Sequence, residues 1–131
     1  MTSIDSKGSI YTAGSISIGG VLDVGTLASL ASGLSLKKTQ ILAGKEISIP
    51  FDTAFVEVID DGASDSNILH LPTRKDGLKE GQVLIILNSD ADDTKSPTIR
   101  SGSTIMFIFN GHTWMDIQAL KVPTQNLTGN L

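Results

Sequence analysis

Residues 101–117, SGSTIMFIFNGHTWMDI, constrain the fold of this chain more than any other stretch. Two apolar runs flank Asn110-Gly111. Asn-Gly is the strongest short-range hairpin signal, because a two-residue type I′ turn needs positive φ at both central positions. A loop of that length sets Phe109 opposite His112, Phe107 opposite Trp114 and Ile105 opposite Asp116. Two large rings then face each other, worth about 0.5–1.5 kcal/mol beyond their buried area. Phe107, Phe109, Asn110, Gly111 and Trp114 are the expected core of the hairpin. Its first strand is apolar on both faces, with Ile105, Phe107 and Phe109 on one side and Met106 and Ile108 on the other. A strand with one wet face alternates. The second face is therefore expected to lie inside a sandwich or under another subunit.

The N-terminal third has a different texture. Gly8, Gly14, Gly20 and Gly25 are each followed two residues later by Ile10, Ile16, Leu22 or Leu27. This weak repeat reads as short extended segments between tight turns, each presenting one apolar side chain that a single segment cannot bury. The alternative is a flexible Gly/Ser-rich arm that orders only against a neighbour. Either way, residues 1–36 are expected to form an arm or stalk engaging other subunits through Ile10, Ile16, Ile18, Leu22 and Leu27. One helical turn is expected near residues 27–31, ended by Gly33.

Residues 37–122 then carry seven or eight short apolar runs separated by turn residues, with no convincing helical period of ten residues or more. The pattern predicts an all-β, antiparallel sandwich or jelly-roll-like domain. Residues 83–87 (VLIIL) read as a strand buried on both faces. Residues 123–131 read as a polar tail.

Charged residues make up 18% of the chain, below the roughly 25% of ordinary soluble domains, and 40% are hydrophobic. The net charge is −4, with scattered lysines and arginines. That composition argues against nucleic acid as a partner, since phosphate is neutralised by clustered basic residues. With no cysteine, disulfides and thiolate metal sites are excluded. No apolar run has membrane-spanning length and the N-terminus has no signal-peptide core, so no membrane partner is expected and synthesis as a soluble intracellular chain is.

Support for catalysis is slight. His70 and His112 have no nearby carboxylate at metal-ligand spacing, and HExxH, GxSxG and P-loop patterns are missing. No catalytic residue, cofactor or resident metal is expected. The weak candidates for an ion are Asp60, Asp61 and Asp65 in one acidic loop, with Asp90, Asp92 and Asp93 in a second, because calcium takes carboxylate oxygens from such loops. Aspartate in turns more commonly serves its own backbone.

The stretches TQILAGKEISIPFDTAFVEVIDDG, ILHLPTRKDGLKEGQVLIILNSD and TIRSGSTIMFIFNGHTWMDI together resemble a β-structured module of bacteriophage and other virus-particle proteins, of the capsid-decoration, head-fibre and tail-fibre kinds. The resemblance rests on Leu71-Pro72, Gly81-Gln82 before an apolar strand, and a closing Gly102-Ser103 hairpin with Trp114, and it covers residues 39–117. It implies a non-enzymatic, homotrimeric structural protein on the outside of a virion, bound to the major capsid protein or other virion proteins. With only a short segment before the β-domain, a decoration (cement) or head-fibre subunit fits better than a long fibre. The alternative is a tail-fibre module that recognises a host surface glycan.

Overall fold

The computed structural model describes residues 2–4, 8 and 10–117; the end of the expected β-domain, residues 118–122, and the expected tail, 123–131, lie outside them. The chain divides into two units, Met1–Leu34 and Ser35–Leu131.

In the first unit, β1 (Thr2–Ile4) pairs antiparallel with β2 (Ile10–Thr12), Ile4 beside Ile10. The reading of this region as a series of turns did not identify that hairpin. From residue 13 to 34 the backbone forms no helix or strand, and the helical turn expected near residues 27–31 is not formed. Extended chain with isolated apolar side chains has nothing of its own to pack against, which is why no element propagates there.

In the second unit the regular secondary structure is almost all strand. Alternation at period two produces β3 (Lys38–Leu42), β4 (Glu46–Ser48), β5 (Phe55–Ile59), β6 (Ile68–His70), β7 (Val83–Asn88), β8 (Thr104–Phe109) and β9 (Trp114–Ile117), with one short 3₁₀ turn at Arg74–Asp76. They make a five-stranded sheet in the order β3-β5-β7-β8-β9 and a two-stranded sheet, β4-β6. The domain is all-β, but the pairing departs from the antiparallel expectation. β7–β8 and β8–β9 are antiparallel, whereas β3–β5, β5–β7 and β4–β6 are parallel. The chain passes from the large sheet to the small one and back, so successive turns stack as a short parallel coil. A parallel bridge from Ile68 to Lys95 begins a third rung of the small sheet. Short strands with period-two patterning look the same in either pairing; the difference lies in whether the connection returns on the same sheet or crosses over.

The core lies between these layers. Ile47, Ile49 and Leu69 come from the small-sheet side, and Val56, Val58, Leu84, Ile86 and Phe107 from the large sheet, with Ala43 and Ile99 beside them. Val56, Val58 and Ile86 are fully buried, each stabilising the fold by about 1.5–3 kcal/mol. All of these residues belong to the second unit, so that unit contains a complete core of its own.

The closing hairpin is where the sequence places it, with a different register. Asn110 N–H donates to the Thr113 carbonyl, and the Asn110 side-chain Oδ1 accepts from the backbone N–H of His112 and Thr113. The loop is therefore four residues, 110–113, with Gly111 at φ +98°. Phe109, not Phe107, pairs with Trp114, and Phe107 lies opposite Asp116. The Phe109 and Trp114 rings are 5.4 Å apart and tilted by 55°. Trp114 Nε1 donates to the Pro72 carbonyl at 2.9 Å, tying the hairpin to the chain that follows β6.

A polar clamp joins the three parallel strands. Glu57 on β5 takes Lys38 Nζ at 2.8 Å, Gln40 Nε2 at 3.0 Å and Ser89 Oγ at 2.6 Å. Hydrogen bonds from Lys38, Ser89 and Gln40 hold its carboxyl down from 4.5 to about 2. A depressed carboxyl stabilises the fold above its unfolded pKa, and that contribution disappears as pH falls from 4.5 toward 2. The expected result is that Glu57→Gln lowers the melting temperature at pH 7, with a gap from the parent that closes as the pH approaches 2. Calorimetric melts across that range check it; a constant gap would show that the charge of Glu57 is not responsible.

Candidate functional site

Two surfaces gather the residues singled out in the sequence. The first is apolar. The inner parity of the large sheet is in the core; the outer parity is not. In register across β5, β7, β8 and β9 runs the row Phe55, Ile85, Met106 and Ile117, and beside it the row Val83, Ile108 and Met115. Met106 is 40% exposed, Met115 and Ile117 slightly more, and the others are half-buried. The expectation that residues 83–87 are buried on both faces is corrected: Leu84 and Ile86 are buried, but Val83, Ile85 and Leu87 are only partly so. Met106 and Ile108 were the sequence candidates here. Their neighbours Phe55, Val83, Ile85, Met115 and Ile117 were missed, although strands apolar at both parities were the signal that marked β7 and β8.

The N-terminal unit adds the same chemistry. Ile10, Ile16, Ile18, Leu22 and Leu27, all named from the sequence, are exposed, Leu27 at 82%. Tyr11, Val21, Val24, Leu30 and Leu34 are exposed as well and escaped the glycine-repeat reading because they fall outside its period. Exposed apolar patches larger than a few hundred Å² are uncommon on monomers and mark surfaces that bind something.

The second surface is acidic, at the ends of β5 and β7. One carboxylate oxygen from each of Asp60, Asp61 and Asp90 lies within 4.8 Å of the others. Asp65, the third sequence candidate, is hydrogen-bonded to Asp61. That bond, with the Ala63 N–H, lowers the Asp61 pKa. The same bond raises that of Asp65, helped by partial burial and by the charges of Asp61, Asp90 and Asp92. Asp90 was grouped in the sequence with Asp92 and Asp93. The fold instead brings it to the first loop, because β5 and β7 are parallel neighbours and Ser89 N–H donates to the Val58 carbonyl at 2.8 Å.

Asp90 sits in a buried polar network with Asn67, Asn88 and Thr94. Asn67, at φ +51°, joins three passes of the chain. Its backbone N–H donates to the Gly44 carbonyl and its own carbonyl accepts from Lys95 N–H. Its side chain accepts from Gly44 N–H at 3.3 Å and donates to Asp90 Oδ2 at 2.6 Å. Asn88 Nδ2 donates to the carbonyls of Asp92 and Ile99, both at 2.9 Å. Ser101 Oγ donates to the Asp90 carbonyl at 2.5 Å.

The histidines stand apart from both surfaces. His70 Nε2 meets Glu46 Oε1 at 2.9 Å across the small sheet, and His112 occupies the hairpin loop. A cleft of about 490 Å³ beside His112 is lined by Pro72, Thr73, Arg74, Lys75 and Phe109, and holds none of the clustered acids. No family model, curated protein or solved structure matches the chain.

Proposed function

We propose that this chain is a non-enzymatic structural subunit that works as a homo-oligomer, a trimer, on the outside of a virus particle. The observation that carries the reading is the outer face of the five-stranded sheet, where one apolar row crosses four strands in register and a second crosses three. A regular surface of this kind is suited to another regular surface, and the partner available to every copy is a second copy. Each half-exposed side chain taken into such an interface contributes about 1 kcal/mol, and a closed ring of copies repeats the gain at every joint.

The N-terminal unit serves in this reading as the arm that reaches neighbouring subunits or the major capsid protein, burying Ile10, Ile16, Ile18, Leu22 and Leu27 there. The mechanism is mechanical: apolar contacts spread over many copies oppose separation of capsid subunits, as in a decoration or head-fibre protein. The virion setting rests on the resemblance of residues 39–117; the assembly reading rests on the apolar faces.

Deleting residues 1–34 separates the two roles. Because the core residues all lie beyond residue 42, the truncated chain is expected to fold, with a single cooperative melt and a strand-type circular dichroism spectrum. It is expected to lose at least 90% of its attachment to the particles that carry it in a co-sedimentation assay. Undiminished attachment would remove the arm from the account.

A further inference from the structure

We propose that Asp60, Asp61 and Asp90 hold one calcium ion, which clamps the loop leaving β5 to the loop leaving β7. The assembly reading plays no part in this, and either can fail without the other. Parallel pairing creates the site. Val58 lies beside Asn88 in the register, so two acidic loops distant in sequence leave the sheet side by side. Three carboxylate oxygens gathered within 4.8 Å match an ion that takes oxygens at 2.3–2.6 Å, since ligands of one such shell lie within about 5 Å of each other.

The independent observation is the state of Asp90. It is 1% exposed. Its Oδ2 accepts from Asn67 Nδ2 at 2.6 Å and from Asp92 N–H at 3.2 Å. Its Oδ1 is buried and has no hydrogen-bond partner. A buried carboxylate oxygen left without a donor carries an uncompensated desolvation cost, and the gathered charges of Asp60 and Asp61 add repulsion. A divalent cation removes both. Asn67 and the backbone already fix the Asp90 carboxylate, so its unpartnered oxygen is ordered before the ion arrives. Asp60 is exposed and Asp61 half-exposed, which leaves a path from solvent and room for the waters that complete a calcium shell.

The test is calorimetric titration of the chelator-treated full chain with calcium chloride at pH 7, with thermal melts in parallel. One ion per chain is expected, with Kd on the order of 10⁻⁴ M. At 10 mM calcium the melting temperature should rise by on the order of 10 °C. The double variant Asp60→Asn/Asp61→Asn keeps the side-chain oxygens that accept Gly62 and Ala63 N–H, so it is expected to fold and to lose calcium affinity at least tenfold. Asp90→Asn should lose binding too; if it does not fold, the double variant still decides. Magnesium chloride at the same concentration should give less than half the shift, because that ion demands a near-ideal octahedron and gives up its water reluctantly. The absence of both binding heat and a melting shift at 10 mM calcium would overturn the proposal. So would unchanged affinity in the double variant, and equal affinity for magnesium would overturn the choice of ion.

Discussion

The double substitution Ile85→Lys/Met106→Lys is expected to yield folded single chains in place of the proposed assembly. The two residues are register partners on adjacent strands, at the centre of the outer face. Their neighbours along each strand, Leu84, Ile86 and Phe107, supply the core and are untouched. Within one chain the change is small, since substitutions at partly exposed positions away from special contacts usually stay within about 0.5 kcal/mol. At an interface the effect is different in kind. Each substitution forgoes about 1 kcal/mol of apolar burial and takes an ammonium group out of water, at an effective cost of several kcal/mol. A loss of about 5 kcal/mol per joint exceeds a thousandfold in affinity. Light scattering reads the mass, and a thermal melt reads the fold. A variant that unfolds would mean that this face is an internal layer, and a variant of unchanged mass would mean that the copies meet elsewhere.

Asn67→Ala has the largest expected effect inside one chain. The substitution removes the hydrogen bond to the Asp90 carboxylate and the acceptor for Gly44 N–H, and it places a Cβ residue with no local side-chain hydrogen bond at φ +51°. A charged hydrogen bond is worth about 1.5–3 kcal/mol and a neutral one about 1, and the left-handed backbone adds about 1 more. The sum, about 3–5 kcal/mol, is expected to lower the melting temperature by about 10–20 °C. Asn67→Gly relieves the backbone without restoring the hydrogen bonds, and should recover only about 1 kcal/mol of the loss. Equal stability of the alanine variant and the parent would show that the loops are held by packing alone.

What could be read from the sequence follows from which forces are local. The all-β character, the position of the closing hairpin and the surplus of apolar side chains on β8 are legible in alternation and in Asn110-Gly111. The hairpin register is not. Asn110 accepts two backbone N–H groups with its own side chain, which lengthens the loop to four residues and moves Trp114 from Phe107 to Phe109. The parallel pairing was hidden for a similar reason. β4 and β6 are three residues each, too short to announce that the chain crosses to a second sheet before returning. That hidden crossover is also why Asp90 could not be joined to Asp60 and Asp61, since the acidic loops become neighbours only when β5 and β7 run the same way. Asp65 was legible by composition, yet it serves Asp61 and is not one of the three converging oxygens.

The most direct test of the assembly reading is the mass of the purified full-length chain in solution, measured by light scattering across a dilution series. The account predicts a discrete species at three times the 13.8 kDa of one chain, persisting on dilution. A mass of 13.8 kDa at the highest soluble concentration would contradict it, because the rows through Ile85 and Met106 would then be stable in water without a partner.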